Sequence, residues 1–142
     1  MSTKMIKVED LSFSYGRRKT KVLDGFSMSL NKGSVYGLLG KNGTGKSTLL
    51  YLMAGLLRPQ TGKVYYKGVD VTLRKPTTLQ DMFLVPEEFA LPNVSMKQYV
   101  KLNAPFYPHF SDELLKACLR DFDMNEGIHL GELSMGQKKK AF

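Results

Sequence analysis

The sequence predicts an α/β fold, and three observations carry that reading. Two early stretches, 5–14 and 22–30, alternate apolar and polar residues as half-buried strands do. A short apolar run, Val35-Tyr36-Gly37-Leu38-Leu39, then leads through a glycine-rich loop into a segment with helical spacing. Beyond Pro86 the apolar residues recur at helical spacing. With 142 residues, 42% of them hydrophobic, the chain is long enough for one globular core.

Taken in order, the first strand covers 5–14 and meets a turn at Tyr15-Gly16, followed by the basic run Arg17-Arg18-Lys19-Thr20-Lys21. The second strand, 22–30, closes on the turn Asn31-Lys32-Gly33. The run 35–39 is expected to be a buried parallel strand. Leu49, Leu50, Leu52, Met53 and Leu56 then mark a helix from Lys46 that ends near Gly55. Residues 62–68 form a strand between glycines, and 82–85 form a second short buried strand closed by Pro86. Ser95 and Gln98 make a capping box for a helix whose spacing runs through Met96, Tyr99, Val100, Asn103 and Phe106. Ser111 caps the next helix, with Leu114, Leu115, Cys118, Leu119 and Phe122 on one face. Ser134 and Gln137 form a further box at the start of a helix that reaches the chain end.

Composition removes several classes. A single cysteine, Cys118, excludes a disulfide framework and any multi-cysteine metal site, and it favours a reducing cytosol. The N-terminus is charged early and lacks the apolar core of a signal peptide. The longest apolar run, 49–57, falls short of the roughly 20 residues that span a bilayer. The protein is expected to be soluble, or to reach a membrane through a partner. A net charge of +8 suits nucleotide phosphates, nucleic acid or acidic lipid, although scattered solvated lysines account for most of it.

The loop Gly40-Lys41-Asn42-Gly43-Thr44-Gly45-Lys46-Ser47 satisfies G-x-x-x-x-G-K-[ST], with an apolar run before it and a helix after it. Its glycines let successive N–H groups of residues 42–48 turn inward around phosphate oxygens, and the helix N-terminus adds its positive dipole end. Lys46 neutralises the β- and γ-phosphates, the Ser47 hydroxyl is a Mg²⁺ ligand, and Thr48 reaches the α-phosphate. The pattern specifies a nucleoside triphosphate with Mg²⁺. Tyr15 can stack on the base, or it can be a turn tyrosine packed on the hairpin; position alone does not choose.

The order is an aromatic before a basic turn, then GKNGTGKST, FLVPEEFALP, a helical stretch and LSMGQ. In that order the whole chain resembles the ATP-binding cassette family, the nucleotide-binding subunits of ABC transporters. The LSMGQ stretch is the most specific part, and the phrase APFYPHFS looks most like bacterial ABC-2-type exporters. The resemblance implies a P-loop NTPase (RecA-like) core with an N-terminal antiparallel β subdomain and an α-helical insertion. The expected division is about 1–89 for the β subdomain and core, about 90–132 for the insertion, and 133–142 for the signature and its helix start.

It also implies ATP and Mg²⁺ as ligands, with Tyr15 and Val22 at the base side and Asn42, Gly43, Thr44, Gly45, Lys46, Ser47 and Thr48 around the phosphates. Ser134, Gly136 and Gln137 would face ATP held by a second ABC subunit, in a head-to-tail dimer. Phe106, Tyr107 and Phe110 would offer a surface to membrane-spanning transporter subunits, or would serve as the insertion's own core. The place implied is cytoplasmic, peripheral to the inner membrane, with export as the direction and no nucleic acid as partner.

Three departures stand out. Glu87 occupies the position where the family usually has a Gln that touches Mg²⁺ and the attacking water; Glu88 is the alternative alignment. A carboxylate there still binds Mg²⁺ but repels the γ-phosphate. Met135 replaces the commoner glycine of the signature. The family's Walker B Asp, catalytic Glu and switch His follow the signature, and none is in this sequence; His109 and His129 precede it. The expectation is an N-terminal fragment that holds ATP without useful turnover. Two other readings remain: a non-transport ATPase of the same family, in translation or DNA repair, and a nucleotide-binding module that does not hydrolyse.

Overall fold

The computed structural model describes residues 4–16, 20–86 and 90–141, apart from the side chains of 135 and 139. The chain divides into two compact units, Met1–Leu84 and Val85–Phe142. Each is treated by itself.

The first unit is built on a four-stranded antiparallel sheet in the order β2-β1-β3-β4. The strands are β1 (Lys4–Phe13), β2 (Leu23–Asn31), β3 (Thr61–Tyr66) and β4 (Val69–Asp70). β1 is central and pairs with both long neighbours: Val8 lies opposite Met28 on β2 and Val64 on β3. Period-two alternation along β1 sends Ile6 and Val8 to one face and Lys7 and Glu9 to the other. The apolar face receives α1 (Lys46–Met53), which lays Thr48, Leu49, Leu52 and Met53 against it. Val8, Leu11, Phe13, Leu49, Leu52, Val64, Tyr66 and Val71 form the buried core. Among the bonds that close the helix are Leu56 N–H to the Tyr51 carbonyl at 2.9 Å and Gly55 N–H to the Leu52 carbonyl at 3.1 Å. These satisfy carbonyls that would otherwise be orphaned at a helix end. A short helix α2 (Pro76–Leu79) follows β4 and a 3₁₀ turn at Val71–Leu73.

Two expected strands do not form. Residues 35–39 and 82–85 are neither paired nor regular. Val35 is 102% exposed and Leu39 95%. A continuous apolar run becomes a strand when neighbours pair with it and both sheet faces are covered. Among the described residues nothing pairs with either run. Asn31 N–H donates to the Tyr36 hydroxyl at 2.9 Å, so Tyr36 is tied back to the end of β2.

The second unit holds α3 (Met96–Asn103), α4 (Asp112–Asp121) and α5 (Met135–Ala141) around a small core of Met96, Leu119, Leu130 and Leu133. The Ser95–Gln98 capping box is present in both directions, at 3.1 and 3.2 Å. α3 stops earlier than its apolar spacing suggests. Pro105 has no N–H to continue the ladder, and Ala104–Phe106 tightens into a 3₁₀ turn. The change of pitch turns Phe106 outward, 70% exposed, so it is not part of the α3 face. On α4, Leu119 is buried and Leu115 half-buried, one turn apart, while Leu114, Cys118 and Phe122 are exposed rather than on the packed face.

Candidate functional site

The phosphate loop gains its shape from β2 and α1. Gly45 is the N-cap residue of α1, with φ at 90°. A Cβ at that position would stand 2.8 Å from Val22 Cγ1 and 3.2 Å from the Val22 carbonyl. Only glycine accepts both the backbone angle and that approach. Val22 therefore packs behind the loop, with its own N–H bonded to the Phe13 carbonyl at 2.7 Å. Its place is that of a support for Gly45.

No side chain caps α1, and no acidic residue lies in its first turn. The first N–H groups of the helix are thus left for a ligand, and the dipole favours an anion there. Lys46 Nζ donates to the carbonyls of Gly40 and Lys41, at 2.7 Å each. Thr44 Oγ1 donates to the same Lys41 carbonyl at 2.9 Å. These bonds curl 40–46 around its own ammonium group. Asn42, Gly43, Thr44 and Ser47 are exposed.

Among the described residues no group of three or more His, Cys, Asp or Glu could hold a metal alone. Ser47 offers an exposed hydroxyl beside the open N–H groups. This donor set fits Mg²⁺, which commonly takes one or two protein ligands and completes its shell with phosphate oxygens and water. Glu87 lies outside the described residues.

Tyr15 sits in the turn after β1. Its ring meets Phe13 edge-on, with centroids 5.0 Å apart. Its hydroxyl lies 3.0 Å from Thr48 Oγ1. The structure thus joins Tyr15, Val22 and residues 40–48 in one unit.

The signature residues belong to the second unit. Ser134 Oγ accepts from Gln137 N–H at 3.3 Å, and Gln137 Oε1 accepts from Ser134 N–H at 3.0 Å. Ser134 and Gln137 are exposed, and nothing lies within 4 Å of where a Gly136 Cβ would be. The helix start is held from below by Leu130 and Leu133. Sequence reasoning missed the strand-like contact that places it. Ser95 pairs with His129, Leu130 N–H bonds the Val94 carbonyl at 2.9 Å, and Met96 N–H bonds the Ile128 carbonyl at 2.9 Å. Gly131 fits here for lack of a side chain, since a Cβ would stand 2.7 Å from Asn93 Oδ1 and 3.1 Å from its Cα. The signal was Asn93 and Gly131 in two otherwise featureless loops, and only the fold brings them together.

The profile of the family described as "ABC transporter" matches residues 23–142. The chain is 30% identical over 157 residues to the "Probable branched-chain amino acid transport ATP-binding protein LivG" of Methanocaldococcus jannaschii, covering 95% of this chain and 60% of that protein. It is 28% identical over 131 residues to the "ABC transporter ATP-binding protein YtrB" of Bacillus subtilis, covering 87% of this chain and 44% of the relative. Among solved structures, "Structure of ATP binding subunit of ABC transporter" superposes with a TM-score of 0.84 at 25% identity, covering 96% of this chain and 59% of that one. The chain therefore spans about 60% or less of these proteins.

Proposed function

The chain belongs to the ABC transporter family, and from that premise we propose that it forms the ATP-binding part of a transporter's nucleotide-binding subunit. The observation that carries the reading is the uncapped N-terminus of α1 beside Lys46 and the exposed Ser47 hydroxyl. Backbone N–H groups of 42–48 hold phosphate oxygens, Lys46 neutralises their charge, and the Tyr15 ring lies under the base. Ser47 would hold Mg²⁺, with Glu87 as a further candidate, and the ion would supply positive charge against the phosphates.

Ser134, Gly136 and Gln137 present a second helix N-terminus, whose use is toward ATP on a second subunit. Phe106 and Phe110 are exposed on the second unit, which supports their use as a surface for membrane-spanning partners. Export as the direction rests on the phrase APFYPHFS alone.

Equilibrium binding of MgATP to the chain, beside Lys46→Ala, tests the reading. Loss of the charge-assisted contacts weakens binding roughly tenfold to a hundredfold. Equal binding by both proteins would remove the phosphate loop from the account.

A further inference from the structure

The phosphate loop carries a contact that holding phosphate does not require. Tyr15 and Thr48 share a hydrogen bond at 3.0 Å between hydroxyl oxygens. With its edge-on contact to Phe13, the Tyr15 ring is anchored at both ends. Thr48 is the third residue of α1 and only 6% exposed as a residue. Either hydroxyl can be the donor; with Thr48 donating, its one proton is committed to Tyr15, whereas phosphate oxygens are acceptors that call for it. Tyr15, 47% exposed and in a turn, is the member of the pair with room to leave.

We propose that the Tyr15 hydroxyl competes with ligand phosphate for Thr48 and thereby sets the affinity of the loop. The inference rests on the phosphate-loop reading above. Ring and hydroxyl of one side chain then act in opposite directions. The ring favours ligands with a base, through stacking. The hydroxyl disfavours every phosphate ligand by the same factor, with or without a base, because Thr48 must withdraw from Tyr15 the proton that it gives to phosphate. A neutral hydroxyl pair contributes modestly, so its removal is worth about 2- to 10-fold in affinity.

The test measures equilibrium binding of two probes, MgATP and magnesium inorganic triphosphate, to the chain and its variants Tyr15→Phe and Tyr15→Ala. Tyr15→Phe keeps the ring and its Phe13 contact and loses only the hydroxyl. The expected result is that Tyr15→Phe binds both probes more tightly, by one common factor of about 2- to 10-fold. Tyr15→Ala is expected to bind triphosphate more tightly than wild type and ATP less tightly. Binding of triphosphate by Tyr15→Phe that equals or falls below wild type overturns the proposal. Should that occur while Lys46→Ala binds MgATP roughly tenfold to a hundredfold more weakly than wild type, the phosphate-loop reading stands and only the competition is lost. Failure of every protein to bind either probe overturns both. If circular dichroism shows Tyr15→Ala to be misfolded, the decision rests on Tyr15→Phe.

Discussion

Asp70 shows how much a single side chain settles in the first unit. Its Oδ1 accepts from Thr72 N–H at 2.9 Å and from Thr72 Oγ1 at 2.7 Å, and Lys63 Nζ lies 3.8 Å from Oδ2. The Thr72 hydroxyl first, with smaller help from the Thr72 N–H and Lys63, holds this carboxyl below the usual carboxylate range, against the opposing effect of burial. The bonds cap the turn Val71–Leu73 and so set Val71 into the core. Asp70→Ala is expected to cost about 1 kcal/mol at neutral pH. A depressed carboxyl stabilises above its unfolded pKa, and that stabilisation fades as pH falls through the lower folded value. The gap between wild type and variant in denaturant midpoints should hold from about pH 5 upward and close below about pH 4. A gap that stays open at about pH 2 would mean that charge on Asp70 is not what the turn uses. The turn was absent from the reading of the sequence, although Asp-x-Thr is a local signal of the kind that side-chain-capped turns leave.

At the scale of elements, what the sequence revealed was local. The capping boxes at Ser95 and Ser134, the Ser111 cap and the glycine-lysine loop each lie within a few residues, and their chemistry is complete there. The strands expected at 35–39 and 82–85 do not form because a strand is completed by its neighbours, and among the described residues none pairs with either run. The face of α3 was misjudged because Pro105 changes the pitch just where Phe106 was counted in. Hidden in the same way was the contact of Asn93 with Gly131, which fixes the entry to α5. It predicts a contrast between two glycines five positions apart. Gly131→Ala forces its Cβ against Asn93, and overpacking of that kind costs about 1–3 kcal/mol. Gly136→Ala meets open space inside a helix and should leave stability unchanged or raise it by up to about 1 kcal/mol. Urea denaturation of the two variants decides it. Equal midpoints would show that the 130–134 segment yields easily and that Asn93 does not hold it.

Over the whole molecule, charge and apolar exposure are unevenly shared. Residues 1–84 hold 14 Lys and Arg against five Asp and Glu, a net +9, whereas residues 85–142 hold seven against eight, a net −1. The basic excess thus belongs to the unit with the phosphate loop, where it attracts a triphosphate, rather than being spread over the chain as composition suggested. That unit also exposes Val35 and Leu39 fully and Phe83 by 60%. Exposed apolar side chains on backbone that no strand pairs offer a surface for association with another chain. Like charge opposes that pairing, and salt screens the charge within about 10 Å at 0.1 M. The chain is therefore expected to self-associate as concentration and salt rise. Replacing Val35 and Leu39 together by Lys should restore the monomer without loss of stability, since exposed positions seldom shift it by more than about 0.5 kcal/mol. Light scattering after size exclusion, at low and high salt, reads the outcome. A monomer at every concentration and salt would mean that this segment is adequately solvated as it stands. Association that persists in the double variant would place the sticky surface elsewhere, with exposed Leu102 and Phe106 on the second unit the next to change.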